Sequence, residues 1–275
     1  MASRETKVVV AVQTFQSAIL LAMSDHFKKL FKQEEIVLRS MTGETAAQRD
    51  HLKRVLTQVK PTALIAMDIN PDPDIVSAYT AAKVPIVLID EEGPGVSTIA
   101  TDNCMGGRIA GEYLVAKGRK KIATVSGRTQ LKGSYNAEQR LKGFQQALAA
   151  KGLSIPQGCI IEVINYSRED GIKVMPKLLD AGVDAIFCAA GDNCALGLIT
   201  VAKERKVRIP EDIAIVGFDD LLIAQISSPR LTTIRQPLME IAEAAYKMVV
   251  TQKDEILRRP QKIIFKPELV VRQSA

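Results

Sequence analysis

The chain has 275 residues, 47% of them hydrophobic and 25% charged, and carries a formal net charge of +6. These are the proportions of an ordinary soluble globular protein, and the length is enough for two lobes of roughly 100–200 residues each. The opening MASRETKVVVAVQTF holds no apolar segment of signal-peptide length, and no stretch approaches about 18 uninterrupted apolar residues, so neither a secretory signal nor a membrane span is expected.

In chain order, apolar runs of strand length alternate with amphipathic stretches of helix length, the pattern of parallel α/β structure. Strands are expected at Val8 to Val12, Ile36 to Arg39, Ala63 to Met67, Ile86 to Ile89, Lys121 to Val125, Ile160 to Ile164, Ala185 to Cys188 and Ile213 to Val216. The clearest helical patterns are Ala46 to Val59, Met105 to Lys117, Ala137 to Lys151, Asp192 to Arg205 and Met239 to Thr251. The two halves read as versions of one unit, which predicts two doubly wound lobes. Val96 to Asn103 looks irregular and is expected to cross between them, with Thr232 to Leu238 as the second crossover.

Few residues invite catalysis or metal binding. Gln13-Thr-Phe-Gln16 follows the first strand where a nucleotide enzyme carries a glycine-rich phosphate loop, and the chain has no G-x-S-x-G elbow. Cys104, Cys159, Cys188 and Cys194 form no C-x-x-C pair, and only His26 and His51 could join them, so no metal site, no cofactor and no disulfide framework is expected. All four are read as buried free thiols. The basic cluster Lys117-Gly-Arg-Lys-Lys121 has no interleaved aromatics and reads as a solvated loop at a helix end. By contrast, Ile213-Ala-Ile-Val-Gly217 predicts a strand buried on both faces, with Gly217 turning the chain sharply and Asp219-Asp220 placed at the sheet edge where α/β proteins gather ligands.

The stretch IPEDIAIVGFDDLLIAQISSPRLTTIRQP, residues 209–237, resembles the effector-binding domain of the lactose/galactose repressor (LacI/GalR) family, with its P-x-D-I-x-x-x-G-F/Y-D-D and P-x-L-T-T-I-x-Q. Asp102-Asn103 and the glycines after it resemble the family's D-N-x-x-G-G, and Arg140-Leu-Lys-Gly-Phe144 its R-x-x-G-F. The resemblance implies a periplasmic-binding-protein-like type I fold with a three-crossover hinge, the third crossover near Lys262 to Pro267. Its lobes would be residues 1–101 plus 238–264 and residues 102–237 plus 265–275.

The resemblance also implies site residues. Arg140 would donate to hydroxyls or a carboxylate of the ligand, and Asp219 would accept from sugar hydroxyls or base nitrogens, with Asp220 as a helix N-cap. Asp90 either offers a second carboxylate or closes a strand-end turn. Gln236 either meets the ligand or pins the hinge, and Tyr166 either stacks on the ligand or is a half-buried loop residue. Asp102 and Asn103 are read as capping the next helix. Three departures bear on the ligand: Ala18-Ile19-Leu20 replace stacking aromatics, Gly191 replaces an asparagine, and Glu91 stands beside Asp90 where ribose-binding proteins have arginine. They favour an amine-bearing or less planar polyol over a plain sugar, provided Glu91 lines the cleft rather than facing solvent.

The expected function is therefore the ligand-binding and dimerisation part of a LacI/GalR-type transcriptional regulator. It would be a cytoplasmic, non-enzymatic homodimer that clamps a small polar effector between its lobes, with no membrane partner. It would reach operator DNA only through a headpiece that this sequence does not contain. The alternative is the solute-binding component of a sugar-type importer, which would look the same after removal of its signal. Pro229 to Pro237 and Glu268 to Ser274 are the more repressor-like stretches.

Overall fold

A computed structural model describes residues 6–12, 18–32, 34–41, 45–127, 129 and 135–275. Gln13 to Gln16, where no phosphate loop is expected, lies outside the described residues. The chain divides into two compact units, Met1–Thr101 with Pro237–Phe265 and Asp102–Gln236 with Lys266–Ala275, so the backbone passes between them three times.

The elements run β1 (Lys7–Val12), α1 (Ala18–Leu30), β2 (Glu35–Ser40), α2 (Thr45–Arg54, continued by a π-helical turn Val55–Val59), β3 (Ala63–Met67), α3 (Pro73–Ala81), β4 (Ile86–Ile89) and β5 (Ser97–Thr101). The second unit follows with α4 (Asn103–Ala116), β6 (Ile122–Ser126), α5 (Tyr135–Ala149), β7 (Ile160–Glu162), α6 (Arg168–Asp180), β8 (Ala185–Cys188), α7 (Asp192–Glu204), β9 (Ala214–Asp219), α8 (Leu222–Ile226) and β10 (Thr232–Arg235). The chain then returns to the first unit for α9 (Leu238–Val250), α10 (Lys253–Arg258) and β11 (Lys262–Phe265), and ends with β12 (Glu268–Val270) in the second.

The first sheet is parallel throughout, in the order β11-β5-β4-β3-β1-β2. Its continuous apolar strands follow from burial on both faces. Val8, Val10 and Val12 face Phe27 and Ala245, whereas Val9 and Ala11 face Leu52 and Tyr79. The second sheet has the order β12-β10-β9-β8-β6-β7, parallel except for the antiparallel edge strand β12. One face packs on α6 and α7 through Met175 and Leu198, and the other on α4 and α5 through Leu114 and Phe144.

The structure corrects several expectations. Val96 to Asn103 is not irregular: it contains β5, whose polar side chains disguise a strand paired with β4 and β11. There the Ser97 hydroxyl accepts from the Gln261 N–H and the Thr98 N–H donates to the Gln261 carbonyl, so polar residues sit in the sheet without loss. Gly217 does not turn the chain. It lies inside β9, and the turn is made by Asp219 and Asp220, with φ of 109° and 57°. Cys159, Cys188 and Cys194 are buried free thiols, but Cys104 is only half-buried. The cluster at 117–121 does close a helix: Lys117 ends α4, Gly118 adopts φ 80°, and the Lys120 and Lys121 N–H groups donate to the Asp184 carboxylate.

Candidate functional site

The second unit brings three of the five expected site residues to one edge of its sheet, and it does so through helix packing. A Cβ on Gly107 would collide with the Arg140 carbonyl, and one on Gly143 with the Cys104 carbonyl. The glycine of Arg-Leu-Lys-Gly-Phe thus lets α4 and α5 touch backbone to backbone. That approach sets the Arg140 side chain beside the start of α4. Its Nε donates to Asn103 Oδ1 at 2.7 Å and its Nη1 to the Ala189 carbonyl, just beyond β8, at 2.8 Å. The guanidinium lies 3.6 Å from the centroid of the Phe218 ring, a stacked cation held in place before any ligand arrives. Nη2 has no partner among the described residues.

Asp219, the last residue of β9, is buried to 9% exposure, and Gln236, just beyond β10, to 4%. Gln236 Nε2 donates to Asp219 Oδ1 at 2.7 Å, so the two expected ligand residues are also partners of each other. Asp219 Oδ2 lies where a side chain on Gly191 would begin, since a Cβ there would come within 2.8 Å of it. Gly191 itself has φ of 101° and caps α7. The missing asparagine therefore has a local cause: its space is taken by the carboxylate.

Asp192 was not singled out by sequence. It is wholly buried, accepting from Thr233 Oγ1 at 2.6 Å and the Leu221 N–H at 2.8 Å, and it fills the room left by Gly217. Burial first, and then the neighbouring Asp219 carboxylate, push its carboxyl well above the usual carboxylate range. The signal available was Asp192 itself, an acidic residue directly after a strand-end glycine at a helix start, which reads as an ordinary N-terminal acid.

Asp220 is not the expected N-cap, because α8 begins after Leu221 with no side-chain cap. Its carboxylate is instead shared by Arg235 Nε at 2.7 Å and Arg272 Nη2 at 2.5 Å. The Asp102 carboxylate does cap α4, accepting from the Met105 N–H at 2.8 Å, while Asn103 turns its side chain to Arg140 and Asn136. Tyr166 is 40% exposed with φ of 55°, and its ring rests over Gly127, where a Cβ would not fit. In the first unit Asp90 follows β4 with φ of 58°, and its Oδ1 accepts from the Thr101 N–H at 3.2 Å, the geometry of a strand-end turn. Glu91 is 2% exposed and so does not face solvent. Among the described residues no cluster of His, Cys, Asp and Glu is arranged to hold a metal ion, and no helix is long and apolar enough to cross a membrane.

A stacked arginine and a buried acceptor pair at the strand ends of a doubly wound unit fit a ligand-binding domain of the periplasmic-binding-protein-like class. Residues 111–275 match the family described as periplasmic binding protein-like domain. The HTH-type transcriptional regulator DegA of Bacillus subtilis is 31% identical over 80% of this chain and 66% of its own length. The HTH-type transcriptional repressor PurR of Klebsiella pneumoniae is 30% identical over 87% of this chain and 70% of its own. A LacI family transcriptional regulator from Enterococcus faecium, solved with bound ribose, shares the fold with a TM-score of 0.85 at 22% identity, covering 98% of both chains. The chain belongs to the LacI/GalR family of transcriptional regulators, whose effector-binding domain it forms. It spans about two thirds of the length of the curated relatives it matches.

Proposed function

We propose that this domain binds a small polar effector at the strand-end edge of its second unit, as the sensing part of a transcriptional regulator. The observation that carries the reading is the Arg140 guanidinium, stacked on Phe218 and hydrogen-bonded to Asn103 and Ala189 with Nη2 unpartnered among the described residues, at the same edge as the Asp219–Gln236 pair. One offers donors and the other an acceptor, the complement of a polyol or of a base with N–H groups. Ribose in a neighbour of the same fold supports a sugar-like effector, and relatives that are transcriptional regulators support a non-enzymatic role. Tyr166, whose ring lies over Gly127 just beyond β6, is proposed as a further contact of this unit, and Asp90, just beyond β4, as a separate candidate carboxylate of the first unit.

Only a ligand that binds one arrangement of the domain better than another shifts its population, and that shift is the proposed signal. The whole protein would act in the cytoplasm and reach DNA through a segment beyond this sequence. A homodimer is part of the proposal, supported by the apolar side chains of Leu222 and Ile226 on α8, 69% and 66% exposed. A thermal-shift screen with ribose, glucose, cellobiose, hypoxanthine, guanine and spermidine tests the reading, followed by calorimetry on the best ligand. Arg140→Ala is expected to weaken that ligand at least about tenfold, because a charge-assisted hydrogen bond in a desolvated site is worth about 1.5–3 kcal/mol. An unchanged dissociation constant in a folded variant removes Arg140 from the site.

A further inference from the structure

The turn that presents Asp219 consists of two consecutive non-glycine residues with positive φ, Asp219 at 109° and Asp220 at 57°. L side chains keep such a conformation only where the surroundings hold it. The Asp220 carboxylate is 4% exposed and is gripped from two sides: Oδ2 by Arg235, the last residue of β10, and Oδ1 by Arg272 from the C-terminal segment. Arg272 is itself tied down, its Nη1 donating to the Leu231 carbonyl at 2.8 Å and its backbone N–H to Thr232 Oγ1 at 2.9 Å. One carboxylate thereby joins the exit of β9, both ends of β10 and the chain's last residues.

We propose that Asp220, clamped by Arg235 and Arg272, is a positioning residue that holds the left-handed turn so that the Asp219 carboxylate stays against Gln236 and Gly191. The proposal rests on the reading of Asp219 as an effector acceptor, and assigns the two arginines to its support rather than to the ligand. Arg235 immediately precedes Gln236, so the same clamp fixes both members of the acceptor pair. The Leu221 N–H, given to Asp192, reports on the turn from its other side.

Asp220→Asn tests this in the whole chain, because asparagine keeps the shape and tolerates positive φ while losing the charge that draws two arginines. Arg272→Met removes one grip and is the second variant. Amide hydrogen exchange of Leu221 and the side-chain amide resonances of Gln236 are read without ligand, with Ala123 in β6 as an internal reference. A failure of the effector reading appears elsewhere, as unchanged ligand affinity in Asp219→Asn, and leaves these readouts intact. In both variants Leu221 is expected to exchange about tenfold faster or more, with Gln236 shifted and Ala123 unchanged. Leu221 and Gln236 behaving as in the parent, or Ala123 accelerating by the same factor as Leu221, would overturn the proposal.

Discussion

Asp192 carries a stability consequence that its two hydrogen bonds alone do not convey. Its carboxyl is raised above the ordinary value of 3.8, by burial and then by Asp219, so the folded chain keeps a proton that the unfolded chain has already lost. Folding therefore binds protons in that window, and stability falls as the pH rises from the ordinary carboxylate range through the raised folded value. Asp192→Asn can still serve the Leu221 N–H and Thr233 with no charge to desolvate. Urea melts at pH 5 and pH 8 are expected to show a smaller loss of stability on raising the pH in this variant than in the parent; equal losses would place the titration elsewhere. Asp192→Ala leaves two buried partners unmet and is expected to cost about 1–3 kcal/mol at either pH.

At the scale of elements, the α4–α5 contact decides where Arg140 stands. Gly143→Ala inserts a methyl group against the Cys104 carbonyl and must part the helices, an overpacking cost of about 1–3 kcal/mol. Effector affinity is expected to fall with stability, because Arg140 would leave Asn103 and Ala189; calorimetry finding full affinity in a destabilised protein would separate packing from site. This contact was half legible in the sequence. The glycine and the arginine were visible in Arg-Leu-Lys-Gly-Phe, but not the reason for the glycine, which lies in another helix. The same limit explains β5 and Asp220. Ser97 and Thr98 look like loop residues until Gln261 arrives from more than 160 positions away to pair with them. Asp220 looks like a cap until Arg235 and Arg272 claim it. The buried strands β1, β3, β4, β8 and β9, by contrast, announced themselves as unbroken apolar runs because both of their faces are covered.

For the whole molecule, the proposed dimer is open to a direct measurement. Sedimentation at micromolar concentration is expected to give a species of twice 30.0 kDa, with Leu222→Glu shifting it toward the monomer; a parent that sediments only as monomer would contradict the dimer. Saturating effector is expected to stabilise the fold by mass action, about 2.7 kcal/mol at a hundredfold excess over the dissociation constant. The central claim, that a small polar effector is read by Arg140, Asp219 and Gln236, is tested most directly by a crystal structure with the ligand selected in the thermal-shift screen. The account predicts that ligand hydrogen-bonded to the Arg140 guanidinium and to the Asp219 carboxylate or the Gln236 amide beside it. A ligand bound elsewhere on the chain, or touching none of these three side chains, would contradict it.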